Sequence, residues 1–411
     1  MRIWLAVLLR SHMINCAFLL KRSAEVPINI YVSSDFFNAL PITPGDTAIF
    51  VVSHILPDKL EFLDAIAKIG PIAGIIPKKK SVDRNTLAPI KTKYPVLTIT
   101  KEDLASPQPL KAIRQLKRAL GQPSRPFIIL DIGGYFANIT QHFASANMQC
   151  VGIVEDTENG HQKYENAGAH ALVYSVARSP LKETEDFLVG HSIVFSAEAV
   201  LRQNQELLTG MDVGIIGFGK IGRSIISNLS HRNIRTTLYD IDPIKRVQAK
   251  SFGYHVGDKQ TLLSSSDYIF CATGKKALAD SDYDALKGNA CIFSVTSSDD
   301  EFDLAWLKQN YQEDNVTKYI TRYLRGERAI RLANNGNAIN FLHGAVVGDY
   351  IRLVQAEMLL CVDEIRSVGY SGTSLGGIRT LGQHKRQNIA EIWEGHFARH
   401  HDATSTDLQQ R

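Results

Sequence analysis

The residues whose spacing points most directly to chemistry are Gly217-Phe-Gly219-Lys-Ile-Gly222. They follow the apolar run 213–216 and lead into Ile221, Ile225, Ile226 and Leu229 at helical spacing. Between a strand and a helix, the first glycine of such a turn permits the sharp reversal and the second lets backbone approach a diphosphate. The third lets the helix lie close to the sheet. Free N–H groups at the start of that helix, around Lys220 and Ile221, would then face the phosphates with the helix's partial positive charge. The next strand, 235–239, ends in Asp240, eighteen positions beyond Gly222. A carboxylate there can accept hydrogen bonds from both hydroxyls of an adenosine ribose and would repel a 2′-phosphate, so NAD is expected rather than NADP. The strand 268–271 is followed by Ala272-Thr273-Gly274, whose small side chains would let the nicotinamide half pass over the strand end. The competing reading is a glycine-rich turn that holds no ligand.

Two sheets are needed to hold these positions. Residues 48–52, 72–76, 95–99, 127–130, 151–154 and 171–174 read as strands, and Leu110, Ile113, Leu116 and Leu120 form a helical stripe. A second alternation of apolar runs and amphipathic stretches extends from Val213 to about Val295. Residues 178–210 read as mostly helical and 345–366 as one long helix, with a polar tail that shows no strong pattern after Trp393. Strands alternating with helices imply parallel sheets covered on both faces. The expected fold is α/β, with two doubly wound parallel-sheet domains, the second a Rossmann NAD-binding domain. The first spans 25–205 and is completed by the helix and tail at 345–411, the second spans 206–344, and a cleft separates them.

The totals agree with two globular domains: 411 residues, 44% hydrophobic and 21% charged. Lys plus Arg number 46 against 42 Asp plus Glu, too even a balance for nucleic acid to be the expected partner. The lysine run 78–80 follows Pro77 and reads as a solvated loop, with anion binding as the alternative. Five scattered cysteines without a CxxC pair fit a reducing compartment and offer neither a disulfide framework nor a zinc site. His396, His400 and His401 read as a solvated tail more readily than as ligands, so no metal site is expected. The apolar run 3–9 is broken by Arg10-Ser11-His12 and is too short to span a bilayer. An amphipathic start or a true beginning at Met13, a cytoplasmic location and no membrane partner are the expectations.

From about Phe127 to Leu360 the chain resembles the S-adenosylhomocysteine hydrolase family. The likeness is carried by Ile128-Ile-Leu-Asp-Ile-Gly-Gly134, Gly152-Ile-Val-Glu-Asp-Thr-Glu-Asn-Gly160, the glycine turn, Tyr239-Asp-Ile-Asp-Pro243 and residues 332–340. The resemblance implies NAD kept bound, oxidation of a ribose 3′-hydroxyl, removal of the acidified 4′-proton, elimination of a thiol, addition of water and return of the hydride. It also implies a homo-oligomer. Lys182 and Asp186 reproduce the spacing of the family's lysine and aspartate, and burial beside a cationic nicotinamide would pull the amine toward neutrality. Without the family, residues 182–186 read as a solvated, charged helix start. His54 falls at a substrate-side histidine, Asp58 at a glutamate that meets adenine, and Asp156 at a catalytic glutamate with Glu155 beside it. Asn340 matches an asparagine near the nicotinamide carboxamide, and His343 the histidine soon after it.

The departures are equally specific. Ile132 stands where the family has a second aspartate before Gly-Gly, an acid/base of the elimination. Phe187, Ser297 and Leu56 replace an asparagine, a histidine and a threonine, and the last ten residues lack the family's Lys–Tyr-rich tail. Removing a positioned general base costs about 10²–10⁴-fold in rate, so efficient hydrolysis is not expected. The expected function is hydride transfer at a ribose-type hydroxyl of a nucleoside or related thioether. One alternative is a non-catalytic NAD-binding regulatory or scaffold protein. The other is a 2-hydroxy-acid dehydrogenase, for which Ser294-Val-Thr-Ser-Ser-Asp-Asp300 supplies no arginine to clamp a carboxylate.

Overall fold

The strands form where apolar runs can be buried on both faces, as a parallel sheet under helices requires. The computed structural model describes residues 31–122, 124–168, 171–296, 301–315, 317–369 and 376–398. The expectations for residues 1–30, Ser297, His400, His401 and the last ten residues lie outside them. The first sheet contains β1 (Ala48–Ile55), β2 (Ile72–Val82), β3 (Phe127–Asp131), β4 (Cys150–Glu155) and β5 (Leu172–Ser175). The second contains β6 (Asp212–Ile216), β7 (Arg235–Tyr239), β8 (Tyr268–Cys271), β9 (Cys291–Ser294), β10 (Gln312–Asn315), β11 (Ile320–Arg325) and β12 (Arg328–Ala333). A late strand, β13 (Gly377–Arg379), returns to the first sheet, whose order is β13-β5-β4-β3-β1-β2 and whose pairs are all parallel.

The second sheet runs β10-β11-β12-β9-β8-β6-β7. Its β12-β9-β8-β6-β7 portion is parallel, whereas β10, β11 and β12 pair antiparallel. The antiparallel edge departs from a purely parallel sheet. Its cause is a two-residue turn between Arg325 and Arg328, where Gly326 supplies the positive φ of +60°. In both sheets the winding direction reverses beside the first strand, between β1 and β3 and between β6 and β8. Ligands of open α/β sheets bind at the carboxyl ends of the strands flanking such a reversal.

Three expectations need correction. Residues 95–99 are not a strand of the sheet; they touch β2 through a single bridge, Ile75 to Val96. Residues 78–80 are not a solvated loop but part of β2, and Lys78 is buried. The long helix begins at Ile351 instead of 345, because Gly344, Ala345 and Gly348 have φ of +76°, +50° and +63°, which a right-handed helix excludes. The tail also holds more order than its polarity suggested. Beyond β13, the helix Gln383–Trp393 buries Ile389 against the first sheet's core, and Phe397 and half-buried His396 pack on Phe36.

Each sheet face has its own apolar cluster. Val354, Leu359, Val362 and Ile365 of the helix Ile351–Gly369 cover one face of the first sheet, with Ile365 lying against Gly152. The helix Pro180–Gln203 connects the sheets. Ser179 caps it by accepting from the Leu181 amide, Pro180 starts it, and its second half buries Ile193, Val194, Val200 and Leu201 in the second core. Among the described residues no helix is long and apolar enough to cross a membrane.

The connecting helix crosses the helix Lys220–His231 at Gly190, where an added Cβ would lie 2.2 Å from Ser224 Oγ and 2.4 Å from Ser224 Cβ. Gly190→Ala should therefore lower the unfolding free energy by about 1–3 kcal/mol in denaturant titrations. Gly288→Ala, where a Cβ meets nothing within 4 Å, should leave it nearly unchanged. Equal effects at the two positions would contradict this crossing.

Candidate functional site

Both sheet reversals open onto one cavity of about 1150 Å³. His54 at the end of β1, Lys78 of β2, Ile132 after β3, Asp156 after β4, and Lys182 and Asp186 of the connecting helix line it from the first sheet. Gly219, Lys220, Ile221, Thr273, Gly274 and Asn340 line it from the second. The chain thus brings most of the anticipated positions to one space.

The glycine turn is fixed by contacts that exclude side chains. Gly217 has a φ of +105°, and a Cβ on it would lie 2.6 Å from the Ala272 carbonyl oxygen. One on Gly222 would lie 2.1 Å from the Gly217 carbonyl oxygen, so the helix can approach the strand only without it. Gly219 differs: its backbone suits any residue, and a Cβ there meets nothing within 4 Å. That empty volume, at a helix start with no side-chain cap, is what a diphosphate would need.

Asp240 is buried and turned toward this turn, accepting from the amides of Phe218 at 2.6 Å and Asp242 at 2.8 Å. An ionised carboxylate has about four acceptor positions, so two amides do not exhaust it. Asn340 is also buried, and its Oδ1 lacks a hydrogen bond among the described residues. A buried amide oxygen left alone is costly, and a carboxamide N–H₂ would satisfy it. The amides of Thr273 and Gly274 donate instead to Glu301, at 3.0 and 3.3 Å, and Ser294 Oγ donates to the same carboxylate at 2.8 Å. Burial pushes Glu301 up to about 7 against those hydrogen bonds. Sequence reading missed Glu301, because an acid in a Ser- and Asp-rich segment looks like an ordinary loop residue.

The charged cluster differs from its sequence reading. Lys182 is buried, not a solvated helix start, and donates to Asp156 at 2.9 Å and Glu185 at 2.7 Å. Asp186 pairs instead with Lys220 at 3.2 Å, and Lys220 also donates to the Ala177 carbonyl at 2.8 Å. Lys220 therefore ties the glycine turn to the connecting helix. Burial acts to lower the Lys182 amine, but Asp156, Glu185 and Asp186 together outweigh burial and hold it well above the ordinary lysine value.

His54 packs against Phe341, and its Nδ1 is hydrogen-bonded to Ser81 Oγ, which leaves Nε2 for the cavity. Burial first, then the charges of Lys78, Lys59 and Lys182, depress its pKa well below 6.5, so the ring is neutral near pH 7. Asp58 lines the same space, paired with Lys59 at 2.6 Å. His343 stands apart: its ring meets Phe195 edge-on at 5.5 Å, and it is not among the residues lining the cavity. Lys78, read in sequence within a solvated loop with anion binding as the alternative, is buried and lines the cavity together with Lys79 and Lys80. Only its burial distinguishes it from Lys79 and Lys80.

Residues 187–346 match the family model described as S-adenosyl-L-homocysteine hydrolase, NAD binding domain. NAD is the cofactor of this part of the chain. Solved structures with a similar course include a phosphoglycerate oxidoreductase from Vibrio cholerae, at 14% identity and a TM-score of 0.44 over 78% of this chain and all (100%) of that one. A glyoxylate reductase from Paecilomyes thermophila matches at 13% identity and a TM-score of 0.39, over 80% of this chain and 98% of that one. A formate dehydrogenase from Granulicella matches at 11% and 0.32, over 41% of this chain and only 51% of its own length. Likenesses this distant say nothing of substrate. Within the matched segment, two glycines separate binding from folding. Gly219→Val should leave the unfolding temperature near that of the wild type while weakening NAD binding about tenfold or more by calorimetry. Gly222→Ala should lower the unfolding temperature itself, and the reverse pattern would contradict this geometry.

Proposed function

We propose that the protein uses NAD to move a hydride at a ribose-type hydroxyl of a nucleoside or related thioether. The observation that carries this reading is the cluster of buried Lys182 with half-buried Asp156 and Glu185, which faces the same cavity as Gly219 and Asn340. A structural ion pair needs no such placement, whereas a hydroxyl undergoing oxidation must meet polar groups beside the cofactor. When bound, NAD supplies the hydride acceptor; the remaining work falls to side chains. Lys182, held as an ammonium, donates a hydrogen bond and orients the substrate oxygen. It is thus a poor base, and the hydroxyl proton has a better destination in the neutral His54 imidazole, through Nε2.

The resemblance to S-adenosylhomocysteine hydrolases belongs to this reading, as do a cytoplasmic setting and association with further copies of the chain. Elimination and hydration do not, because the apolar Ile132 borders the cavity where a second carboxylate would be required. That same isoleucine favours the second reading, a non-catalytic NAD-binding regulator.

Purified protein should release NAD that mass spectrometry identifies, and a panel of nucleosides and thioethers, S-adenosylhomocysteine included, should contain a compound that produces the reduced-nicotinamide absorbance. Lys182→Met should keep NAD bound but slow that reduction by about 10²-fold through lost orientation. His54 loses its acceptor role only when protonated, and its pKa lies below the ordinary value. The rate should therefore hold as pH falls through 6.5 and decline only at lower pH. No reduction by any compound in the panel would favour the regulator.

A further inference from the structure

Glu301 is a buried ionisable group that the proposed reaction does not use. It lies behind the cavity wall at the carboxyl ends of β8 and β9, 1% exposed and not itself a lining residue. Its Oε1 accepts from the amides of Thr273 and Gly274, and its Oε2 from Ser294 Oγ. Its carbonyl accepts from the Ala277 amide at 3.0 Å, so residue 301 braces the whole segment after β8. Thr273 and Gly274 line the cavity, and only they separate it from the carboxyl group.

Bracing alone does not call for a charge, because a neutral amide oxygen can also accept two N–H groups. A buried carboxylate is costly unless its surroundings compensate, and its donors here are all neutral. The charges around it are matched to one another. Lys276 is paired with Asp303 and Asp280 at 3.4 and 3.8 Å, and Lys259 with Asp282 at 2.7 Å, while Lys275 is exposed. The Cys271 thiol stays neutral, pushed well above its ordinary value by burial first and by Glu301 second. Across the cavity Lys182 is matched by Asp156 and Glu185, and Lys220 by Asp186.

Its position gives that charge a use. The glycine turn follows β6 and Asp240 follows β7. A dinucleotide with its diphosphate at the turn and its adenosine ribose at Asp240 extends its nicotinamide the other way, over β8 and β9. Glu301 backs that wall. An oxidised nicotinamide ring carries a positive charge and a reduced one carries none. A buried anion at this place therefore attracts the first form alone, and weak screening inside the protein lengthens its reach.

We propose that the Glu301 carboxylate biases the site toward the oxidised cofactor, making NAD rather than NADH its resting occupant. The group touches neither substrate nor cavity surface, and its effect is electrostatic. Its frame also accepts the protonated form. Ser294 Oγ lies 3.3 Å from the Thr296 carbonyl, so it can turn to that oxygen and accept from a protonated Glu301 instead. The negative charge is present above about 7 and lost as pH falls through it.

Titrating the NAD-loaded protein with NADH, and following bound-NADH fluorescence at equilibrium, gives the ratio of the two affinities. Glu301→Gln should shift that ratio toward NADH by about tenfold. Glu301→Asp, which keeps the charge, should stay within about threefold of wild type. A brace without an electrostatic role would weaken both forms together and leave the ratio unchanged in both variants. In wild type the preference for NAD should fall about fivefold from pH 8 to pH 6, a range in which neither cofactor form titrates. Glu301→Gln should lack that dependence, and the wild-type arm survives if this variant fails to fold. A ratio in Glu301→Gln that is unchanged or moves toward NAD, or a wild-type ratio constant between pH 6 and pH 8, overturns the proposal. No substrate enters these measurements, so their outcome is independent of which hydroxyl reacts.

Discussion

The architecture depends on how closely the glycine turn lies against the end of β8. The Gly217 carbonyl fills the place a side chain at residue 222 would take, and the Ala272 carbonyl fills the place of one at residue 217. That contact brings the start of the helix Lys220–His231 to the carboxyl ends of β6 and β8, where its free amides face the cavity. It also sets where Lys220 can reach. From the turn, Lys220 extends to Ala177 and Asp186, so the position of the second sheet's turn is coupled to the polar start of the connecting helix.

Around this frame the cavity divides into regions of different chemistry. Toward the second sheet it offers backbone, a vacant volume at Gly219 and an unsatisfied amide oxygen at Asn340. Toward the first it offers Lys182 neutralised by two carboxylates, a neutral imidazole, and Lys78 in a setting that disfavours its charge. Low local polarity magnifies each of these differences. A group that balances its neighbours, like Lys182, is stabilised in one protonation state and serves to orient.

Much of the frame was legible in the sequence because it rests on short-range rules. Apolar runs of four or five residues marked β3, β4, β6 and β8, and the glycine spacing marked the turn between β6 and its helix. What escaped was set by contacts distant in sequence. β2 continues past Pro77 because an irregular pairing with β1 absorbs a polar stretch, and no local signal separates buried Lys78 from exposed Lys79. β13 has only three residues, too few to show alternation, and it exists because β5 offers an open edge. The partners of Lys182 were only partly legible for a related reason: Glu185 lies on its own helix, whereas the fold brings Asp156 in from the end of β4. Asp240 lies beside the turn, and the amides it holds could not be foreseen.

Backbone amide hydrogen exchange, with and without NAD, tests the central claim most directly. The account predicts that NAD slows exchange at amides 218–222 and around Asn340, while amides of the antiparallel edge, residues 320–333, are unchanged. Protection confined to other segments, or none at the glycine turn at saturating NAD, would contradict it.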